Sequence, residues 1–259
     1  MPTLSEYSLS GKVAIMYTAG GNEAPVLAQA LAEAGADVFT IARRQELLDP
    51  VLAGLTQFSG KYAGKYEGIA ADVGSGSQAE LKRAMDSFAA SHDRVDILVN
   101  DVRSMFAQPL ADISIEDWDQ VQSRNVRAAF VLCKELGQRM REQQYGRIVN
   151  LVSILAERGM VNGSAFAASQ AAVLSLTRSL AVELGTSNIR VNALGTGWTT
   201  AEEIPLEVQR EELLVRYTPL RRKGHPRDIG PLMVYLASES CDYTTGQAVY
   251  VDGGLNAHP

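Results

Sequence analysis

Short apolar runs alternate with longer amphipathic segments along the whole chain of 259 residues. The runs are rich in β-branched residues and have the length of buried strands, whereas the segments between them repeat apolar residues at helical spacing. This pattern predicts strands at 12–17, 37–42, 66–71, 95–100, 147–153, 190–194 and 248–252. It predicts helices at 25–34, 46–58, 78–92, 115–143, 164–185, 205–217 and 228–238.

The alternation indicates the architecture. Strands that alternate with helices form βαβ units, whose right-handed crossovers give a parallel sheet covered on both faces. We therefore predict a single α/β domain over residues 1–259, a doubly wound, Rossmann-like parallel sheet in a three-layer αβα arrangement. Because ligands bind beyond the carboxyl ends of such strands, functional residues are expected just after positions 17, 42, 71, 100, 153 and 194. Residues 195–218, after the sixth strand, are expected to form a substrate lid.

Composition narrows the function classes. The formal net charge is -6, which disfavours nucleic-acid binding because such proteins usually carry a basic surface. Cys133 and Cys241 lie far apart and the three histidines fall in surface-looking segments, so we expect reduced thiols and no metal site. No apolar run is long enough to span a membrane, and the polar N-terminus lacks the apolar region of a signal peptide. These features predict a cytoplasmic protein with no nucleic-acid or membrane partner.

Four segments carry a more specific signal. They are VDILVN at 95–100, GRIVNLVS at 146–153, LTRSLAVEL with NIRVNAL between 176 and 194, and PLRRKGHPRDIGPLMVYLASESCDYTTGQAVYVDGG at 219–254. In this order and spacing the chain resembles the compact short-chain dehydrogenases/reductases over nearly its full length. The resemblance implies an oxidoreductase that acts on a small carbonyl or hydroxyl substrate with a nicotinamide cofactor.

The first strand-to-helix turn departs from the phosphate-binding loop of that family, which has the form TGxxxGxG. Tyr17, Thr18, Asn22 and Ala24 replace its four defining residues. Glu23 places a carboxylate at a helix N-terminus, where the resemblance implies a pyrophosphate. The alternative is an ordinary helix start, with Asn22 as N-cap, Glu23 in the first turn and Pro25 at the first helical position.

Other cofactor positions agree with the family. Together with the first turn, these positions give the full set of candidate cofactor residues, which are Thr18, Gly20, Asn22, Glu23, Arg43, Arg44, Asp72, Val73 and Asn100. Arg43, with Arg44, follows the second strand where an arginine pairs with the ribose phosphate of NADP, so NADP(H) is expected rather than NAD(H) if a dinucleotide binds. The alternative for the two arginines is solvated surface residues. Asp72 and Val73 match the adenine contact of the family, and Asn100 matches the first residue of its NNAG motif.

The catalytic residues of the family are an Asn, a Ser, a Tyr and a Lys. Asn125 and Ser153 match the first two, whereas Phe166 and Gln170 stand at the Tyr and Lys positions. No Tyr occurs between 145 and 217 and no Lys between 134 and 223, so no shift of the helix restores the pair. Phe166 and Gln170, four residues apart, should share one helix face that points into the cleft. Since a phenyl ring cannot exchange a proton, the family mechanism should be impaired.

Polar residues elsewhere in the cleft are candidate substitutes. Asp101 follows the fourth strand and could act as a base, with Arg103 neutralising its charge; the alternative is a local surface pair. Glu157 follows the fifth strand on the substrate side, or belongs to a solvated turn. Trp198 would wall the substrate pocket together with Arg103 and Phe166, or pack in the core.

Three function classes follow from this mixture of matches and departures. The first is an atypical oxidoreductase without the Tyr general acid, the second a non-redox enzyme such as a lyase, isomerase or dehalogenase, and the third a catalytically silent binding subunit. The helices predicted at 115–143 and 164–185 correspond to those that family members pack between subunits, so we predict a homodimer or homotetramer.

Overall fold

The computed structural model describes residues 5–56 and 64–257. Seven parallel strands form one sheet in the order β3-β2-β1-β4-β5-β6-β7. The strands are β1 Val13–Thr18, β2 Asp37–Ala42, β3 Tyr66–Ala70, β4 Ile97–Asp101, β5 Gly146–Ser153, β6 Ile189–Thr196 and β7 Ala248–Val251. The predicted doubly wound α/β fold is confirmed.

Helices cover both faces of the sheet. They are α1 Ala24–Glu33, α2 Gln45–Thr56, α3 Gln78–Ala89, α4 Ile115–Gln122, α5 Ala128–Gln143, α6 Ser164–Leu184, α7 Leu206–Glu211, α8 Leu213–Tyr217 and α9 Gly230–Ala237. One apolar layer joins the sheet to α3, α5 and α6, and the other joins it to α1, α2 and α9. This is the three-layer arrangement that the alternation of elements predicts.

Several predicted helices have different limits. A π-helical turn at Ser123–Arg127 separates α4 from α5, so the segment 115–143 is not one regular helix. The segment 205–217 is broken where Glu212 adopts an extended backbone, which leaves two short helices. The helix predicted at 228–238 begins at Gly230, after a 3₁₀ turn at Pro226–Asp228. The helix predicted at 46–58 ends at Thr56, and residues 57 and 58 lie outside the described part of the chain.

Two expectations about individual side chains have separate outcomes. Cys133 and Cys241 are free and buried, as expected. His92 is not a surface residue: its side chain is buried and stacks on Phe88 with 5.2 Å between ring centroids. Helix α3 ends at Ala89, three residues earlier than predicted, and His92 packs against it from the turn that follows.

Helix α6 is long and apolar enough to cross a bilayer by length and composition alone. It packs along β5 and β6, however, and contributes Val173, Leu174 and Ala181 to the main core layer. A buried helix of a soluble α/β domain has the same composition, so its hydrophobicity is explained by its place against the sheet.

The strand order reverses between β1 and β4, and this switch point positions the site. Thr18 at the end of β1 lies opposite Asp101 at the end of β4, and Ser153 at the end of β5 lies opposite Thr196 at the end of β6. The four residues share one edge of the sheet, where the first turn and the segments after β4 and β6 meet.

Candidate functional site

A cleft of about 200 Å³ opens at this edge of the sheet. Its walls come from the first turn, the segment after β4, the end of β5, the start of α6 and the segment after β6. Among the residues that line it are Gly20, Asn22, Glu23, Arg103, Ser153, Phe166 and Trp198. Residues predicted from separate motifs therefore meet in one place.

Arg103 lies at the centre of the part of the cleft that is formed by the first turn and the ends of β4 and β6. Its Nε donates to Asp101 Oδ1 at 2.8 Å, one Nη donates to Glu23 Oε2 at 3.0 Å, and the other donates to Thr196 Oγ1 at 2.7 Å. The second oxygen of Glu23 accepts a hydrogen bond from the Thr199 hydroxyl. We call Glu23, Asp101 and Arg103 the ionic cluster.

The ionic cluster is buried. The exposed fraction of the side chain is 7% for Arg103, 9% for Glu23 and 0% for Asp101. The alternative of a local surface pair between Asp101 and Arg103 is therefore wrong, because the guanidinium turns inward and reaches a third charge on α1. A buried guanidinium needs hydrogen-bond acceptors, and each of the three nitrogens of Arg103 has one.

The two carboxyl groups of the cluster differ in proton affinity. Burial acts to raise the pKa of Glu23, but the Arg103 guanidinium and the Thr199 hydroxyl outweigh it and hold this pKa below its ordinary value. Burial raises the pKa of Asp101, and Arg103 offsets only part of that effect while Glu23 adds to it. The site thus favours the ionised form of Glu23 over that of Asp101.

The first turn is shaped around Asp101. A Cβ atom added to Gly21 would lie 2.1 Å from Asp101 Oδ2, closer than any contact that real side chains make. The Thr18 hydroxyl donates to the same oxygen at 3.3 Å. The space under the turn is therefore filled by a side chain of the protein itself.

Helix α1 begins differently from the expectation of an Asn22 cap. Glu23 is the N-cap residue, and its side chain makes no capping hydrogen bond because it is engaged by Arg103 and Thr199. Asn22 is exposed, and Pro25 lies in the first turn as expected. The acidic residue serves the ionic cluster rather than the helix end.

Ser153 and Phe166 line the cleft. The Ser153 hydroxyl accepts a hydrogen bond from the Leu155 backbone at 3.2 Å, so its own proton remains available. Phe166 is 1% exposed and packs with Ile154 and Leu255.

Gln170, one turn after Phe166, is fully buried and forms hydrogen bonds at the ends of two strands. Its Oε1 accepts from the Ser153 backbone at 2.9 Å, and its Nε2 donates to the Val102 carbonyl at 3.2 Å. Gln170 therefore connects the end of β5 to the segment after β4 and does not line the cleft.

The two asparagines that match the family also hold the scaffold together. Asn125, in the π-helical turn, accepts from the Ser104 backbone at 3.0 Å and donates to Ser169 Oγ at 2.8 Å. Asn100 donates to Asn150 Oδ1 at 2.8 Å. Both are buried; Asn125 positions the segment after β4, and Asn100 joins β4 to β5.

A second group of candidate cofactor residues surrounds the ends of β2 and β3. Arg43 Nε donates to the Ala19 carbonyl at 3.4 Å, and burial, followed by the nearby guanidinium of Arg124, lowers the pKa of Arg43. Asp72 Oδ1 is buried and has no hydrogen-bond donor within the ranges that the structure describes. Val73 is buried beside it, whereas Arg44 is exposed and lies 3.9 Å from Glu46.

Glu157 and Trp198, two candidate substrate residues, follow β5 and β6. Glu157 accepts from Asn256 Nδ2 at 2.9 Å and lies 3.7 Å from Arg178, so its carboxylate is held against the C-terminal segment. Trp198 lines both the cleft and a neighbouring apolar cavity of about 210 Å³, whose walls include Leu214 and Tyr217. Trp198 thus stands between the two cavities, and Glu157 lines neither of them.

Three residues of the site were missed in the sequence. Thr199 and Gly21 belong to the ionic cluster's surroundings, and Arg124 lies beside Arg43. Only Arg124 had a usable signal, because a cation directly before Asn125 places charge at the edge of the cleft. The bond between Thr199 and Glu23 spans 176 positions and has no sequence signal.

A nicotinamide dinucleotide fits one end of this groove and not the other. The end formed by Arg43, Arg124 and Asp72 offers cations and an unsatisfied acceptor, which suit a ribose phosphate and an adenine amino group. At the other end the ionic cluster fills the space with two carboxylates for one guanidinium. The remaining 200 Å³ or so is below the roughly 300–1,000 Å³ of ordinary ligand pockets. The residues present therefore do not fit the nicotinamide end of the cofactor in this arrangement.

Known proteins resemble the chain over nearly its full length. The family model described as enoyl-(acyl carrier protein) reductase matches residues 24–256. The 2-dehydro-3-deoxy-D-gluconate 5-dehydrogenase of Bacillus subtilis is 32% identical over 252 residues, covering 96% of each chain. The D-threitol dehydrogenase of Mycolicibacterium smegmatis is 30% identical and covers 96% of this chain and 94% of its own.

Solved structures agree with these relatives. A gluconate 5-dehydrogenase from Burkholderia cenocepacia, in complex with NADP and tartrate, has a TM-score of 0.85 at 25% identity and covers 98% of both chains. A short-chain type dehydrogenase/reductase from Mycobacterium marinum has a TM-score of 0.85 at 28% identity and covers 98% of this chain and 99% of its own. The shared fold, the full-length coverage and the motifs at the sheet edge agree: this chain belongs to the short-chain dehydrogenase/reductase family of oxidoreductases.

Proposed function

We propose that the chain is an oxidoreductase that acts on a small carbonyl or hydroxyl compound without a tyrosine general acid. One observation carries the proposal: Ser153 and Phe166 line the same cleft, so a substrate oxygen there meets a hydroxyl donor and no phenol. Membership of an oxidoreductase family supports the reaction class, and Phe166 supports the change in proton supply.

Ser153 is the proposed catalytic residue of this cleft. Its hydroxyl accepts from the Leu155 backbone and donates to no acceptor among the described residues, so its proton can be donated to a substrate oxygen. Asn125 is proposed as a positioning residue through its contacts with Ser104 and Ser169. We assign Asp101 to the ionic cluster and not to proton transfer, since it is fully buried and Arg103 and Thr18 already occupy its oxygens.

Proton delivery then falls to water or to a group of the substrate itself. A positioned general acid is worth about 10²–10⁴ in rate, so turnover should be slow compared with that of family members that keep the tyrosine. Trp198, Arg103 and Phe166 are the proposed walls of the substrate pocket. NADP(H) is proposed over NAD(H), on the strength of Arg43 and of the NADP in the Burkholderia neighbour.

The experiment is a turnover assay with a panel of small substrates and with NADPH or NADP⁺ at millimolar concentration, because the ionic cluster must be displaced before the nicotinamide can enter the cleft. The panel includes 2-dehydro-3-deoxy-D-gluconate, gluconate and D-threitol, which the relatives' names suggest. We expect slow turnover of at least one compound and a drop of about 10²-fold in kcat for Ser153→Ala. Turnover that is unchanged in Ser153→Ala, or no turnover by a protein that binds the dinucleotide, would refute the proposal.

A second candidate is a protein of this family that works without a dinucleotide, either as a non-redox enzyme or as a silent binding subunit. The ionic cluster favours it, because the cluster fills the nicotinamide end of the groove. Titration with NADPH and with NADH separates the candidates. Absence of binding of both at millimolar concentration would favour the second candidate, and tight NADPH binding would exclude its simplest form.

Three further expectations remain proposals. Residues 195–218 are proposed to act as a lid, since α7 and α8 lie in this segment and Leu214 and Tyr217 line the apolar cavity. The chain is proposed to assemble as a homodimer or homotetramer. A cytoplasmic location without a membrane or nucleic-acid partner is likewise proposed.

A further inference from the structure

We infer that the ionic cluster is a latch that closes the nicotinamide end of the cofactor groove while the adenosine end stays open. The inference goes beyond the proposed activity, because it concerns which part of a dinucleotide this chain can hold. It would stand even if the protein turned over none of the substrates tested.

The latch joins elements on both sides of the switch point. Glu23 stands at the start of α1, Asp101 ends β4, and Arg103 follows it; Thr196 ends β6 and Thr199 lies beyond it. The guanidinium uses three separate nitrogens to reach three of these elements, at 2.7–3.0 Å. A groove crossed by such bonds is closed by the fold's own side chains.

The burial of these charges makes the closed arrangement the stable one. The side chains are exposed by 9% or less, so opening the latch would separate buried charges from their partners. Leaving one partner of a buried ion pair uncompensated is strongly unfavourable. A dinucleotide would also bring a pyrophosphate towards two carboxylates, which repel it.

The opposite end of the groove has different chemistry. Arg43 and Arg124 are close enough to lower the pKa of Arg43, and the hydrogen bond of Arg43 to Ala19 uses only its Nε. Asp72 keeps a buried oxygen without a donor within the described ranges. A phosphorylated adenosine would supply both an anion and an amino donor. The two ends of one groove therefore differ in what they accept.

The test compares four proteins by calorimetric titration with NADPH at one salt concentration. They are the wild type; an opened variant, Glu23→Ala/Asp101→Asn/Arg103→Gly; a filled variant, Glu23→Gln/Asp101→Asn/Arg103→Gln; and a surface control, Lys82→Ala/Asp86→Ala. The opened and filled variants both lose three charges, but only the opened variant gains space. The control removes an exposed ion pair on α3.

We expect the opened variant to bind NADPH at least about tenfold more tightly than the wild type. The surface control should bind like the wild type. The filled variant should gain less than the opened one, because it removes the repulsion of the pyrophosphate but keeps the side chains that fill the groove. An opened variant that binds no more tightly than the wild type would overturn the latch, and so would a filled variant that gains as much as the opened one.

Circular dichroism melts check that each variant folds, and an opened variant with fewer substitutions provides a second test. Asp101→Asn/Arg103→Gly empties the space but keeps Glu23, and we expect it to show a smaller gain in NADPH affinity. No gain in this folded variant would also overturn the latch. The proposed oxidoreductase activity fails by a different readout, namely absence of turnover in a protein that binds the dinucleotide.

Discussion

At the scale of single residues, the chain substitutes internal contacts for cofactor contacts. Gln170 stands where the family has a lysine, yet it ties Ser153 to Val102. Glu23 stands where a pyrophosphate is expected, yet it binds Arg103 and Thr199. Each change would be a defect in an ordinary family member, and each is satisfied here within the protein.

Gln170 should matter for stability. Gln170→Leu leaves the Ser153 amide and the Val102 carbonyl buried without partners, and each such group costs roughly 1–3 kcal/mol. We therefore expect the free energy of unfolding to fall by about 2–4 kcal/mol in urea denaturation. Gln138→Leu, on the exposed face of α5, should change it by less than about 0.5 kcal/mol. Equal effects of the two substitutions would contradict the stabilising role of the two Gln170 hydrogen bonds.

The acid dependence of stability should reveal Glu23. Its pKa lies below the ordinary 4.5, so its ionised form favours the folded state above pH 4.5, and this contribution is lost as pH falls through the folded-state pKa. Asp101 has the opposite shift, so both proteins compared carry Asp101→Asn, which leaves Arg103 and Thr199 facing residue 23.

The difference in unfolding free energy between Asp101→Asn and Glu23→Gln/Asp101→Asn should stay constant from pH 7 to about 5. It should shrink below pH 4.5. A difference that grows on acidification would mean that Glu23 is not held in its ionised form. Chemical denaturation at each pH measures this difference in unfolding free energy.

At the scale of elements, the hydrophobic pattern predicts which segments become strands and helices, but not the contacts of the site. The seven strands were placed correctly because each is an apolar run of strand length. The helix predicted at 205–217 was wrong as a single element, since the extended backbone at Glu212 depends on its surroundings and not on apolar spacing.

The site residues likewise divide into those whose place the sequence predicts and those whose contacts it does not. The family motifs predicted that Ser153, Phe166 and Trp198 meet in one cleft, because each follows or faces the carboxyl end of a strand. They did not predict the bond between Arg103 and Glu23, which spans 80 positions and depends on how a long side chain turns. Hydrophobic patterns specify elements, whereas polar contacts between distant elements become visible only in the folded chain.

The first turn offers a test at this scale. Gly21→Ala should lower stability by about 1–3 kcal/mol, because its Cβ would meet the Asp101 carboxylate, and the same change should cost little in an Asp101→Ala background. Gly159→Ala, where a Cβ meets nothing within 4 Å, is the control. A cost of Gly21→Ala that does not depend on Asp101 would contradict the packing described for the turn. Thermal unfolding of the four proteins completes the cycle.

At the scale of the whole molecule, α5 and α6 present apolar side chains to solvent. Phe130 is 50% exposed and Val182 is 82% exposed, which fits the prediction that these helices pack between subunits. We expect a dimer or tetramer in size-exclusion chromatography with light scattering at micromolar concentration.

Charge on these helices should break that assembly. Phe130→Asp/Val182→Asp should shift the protein to a monomer, whereas Val161→Asp, at an equally exposed apolar residue before α6, should not. A wild-type monomer at micromolar concentration would refute the assembly itself.

We infer that one end of the cofactor groove is open and that the protein's own charges close the other. Calorimetric titration of the wild type with adenosine 2′,5′-bisphosphate and with NADPH tests it most directly, because only NADPH carries the nicotinamide. We expect the two ligands to bind with dissociation constants within about tenfold of each other. NADPH binding about 100-fold or more tighter than the bisphosphate would show that the nicotinamide end is used, and would contradict it.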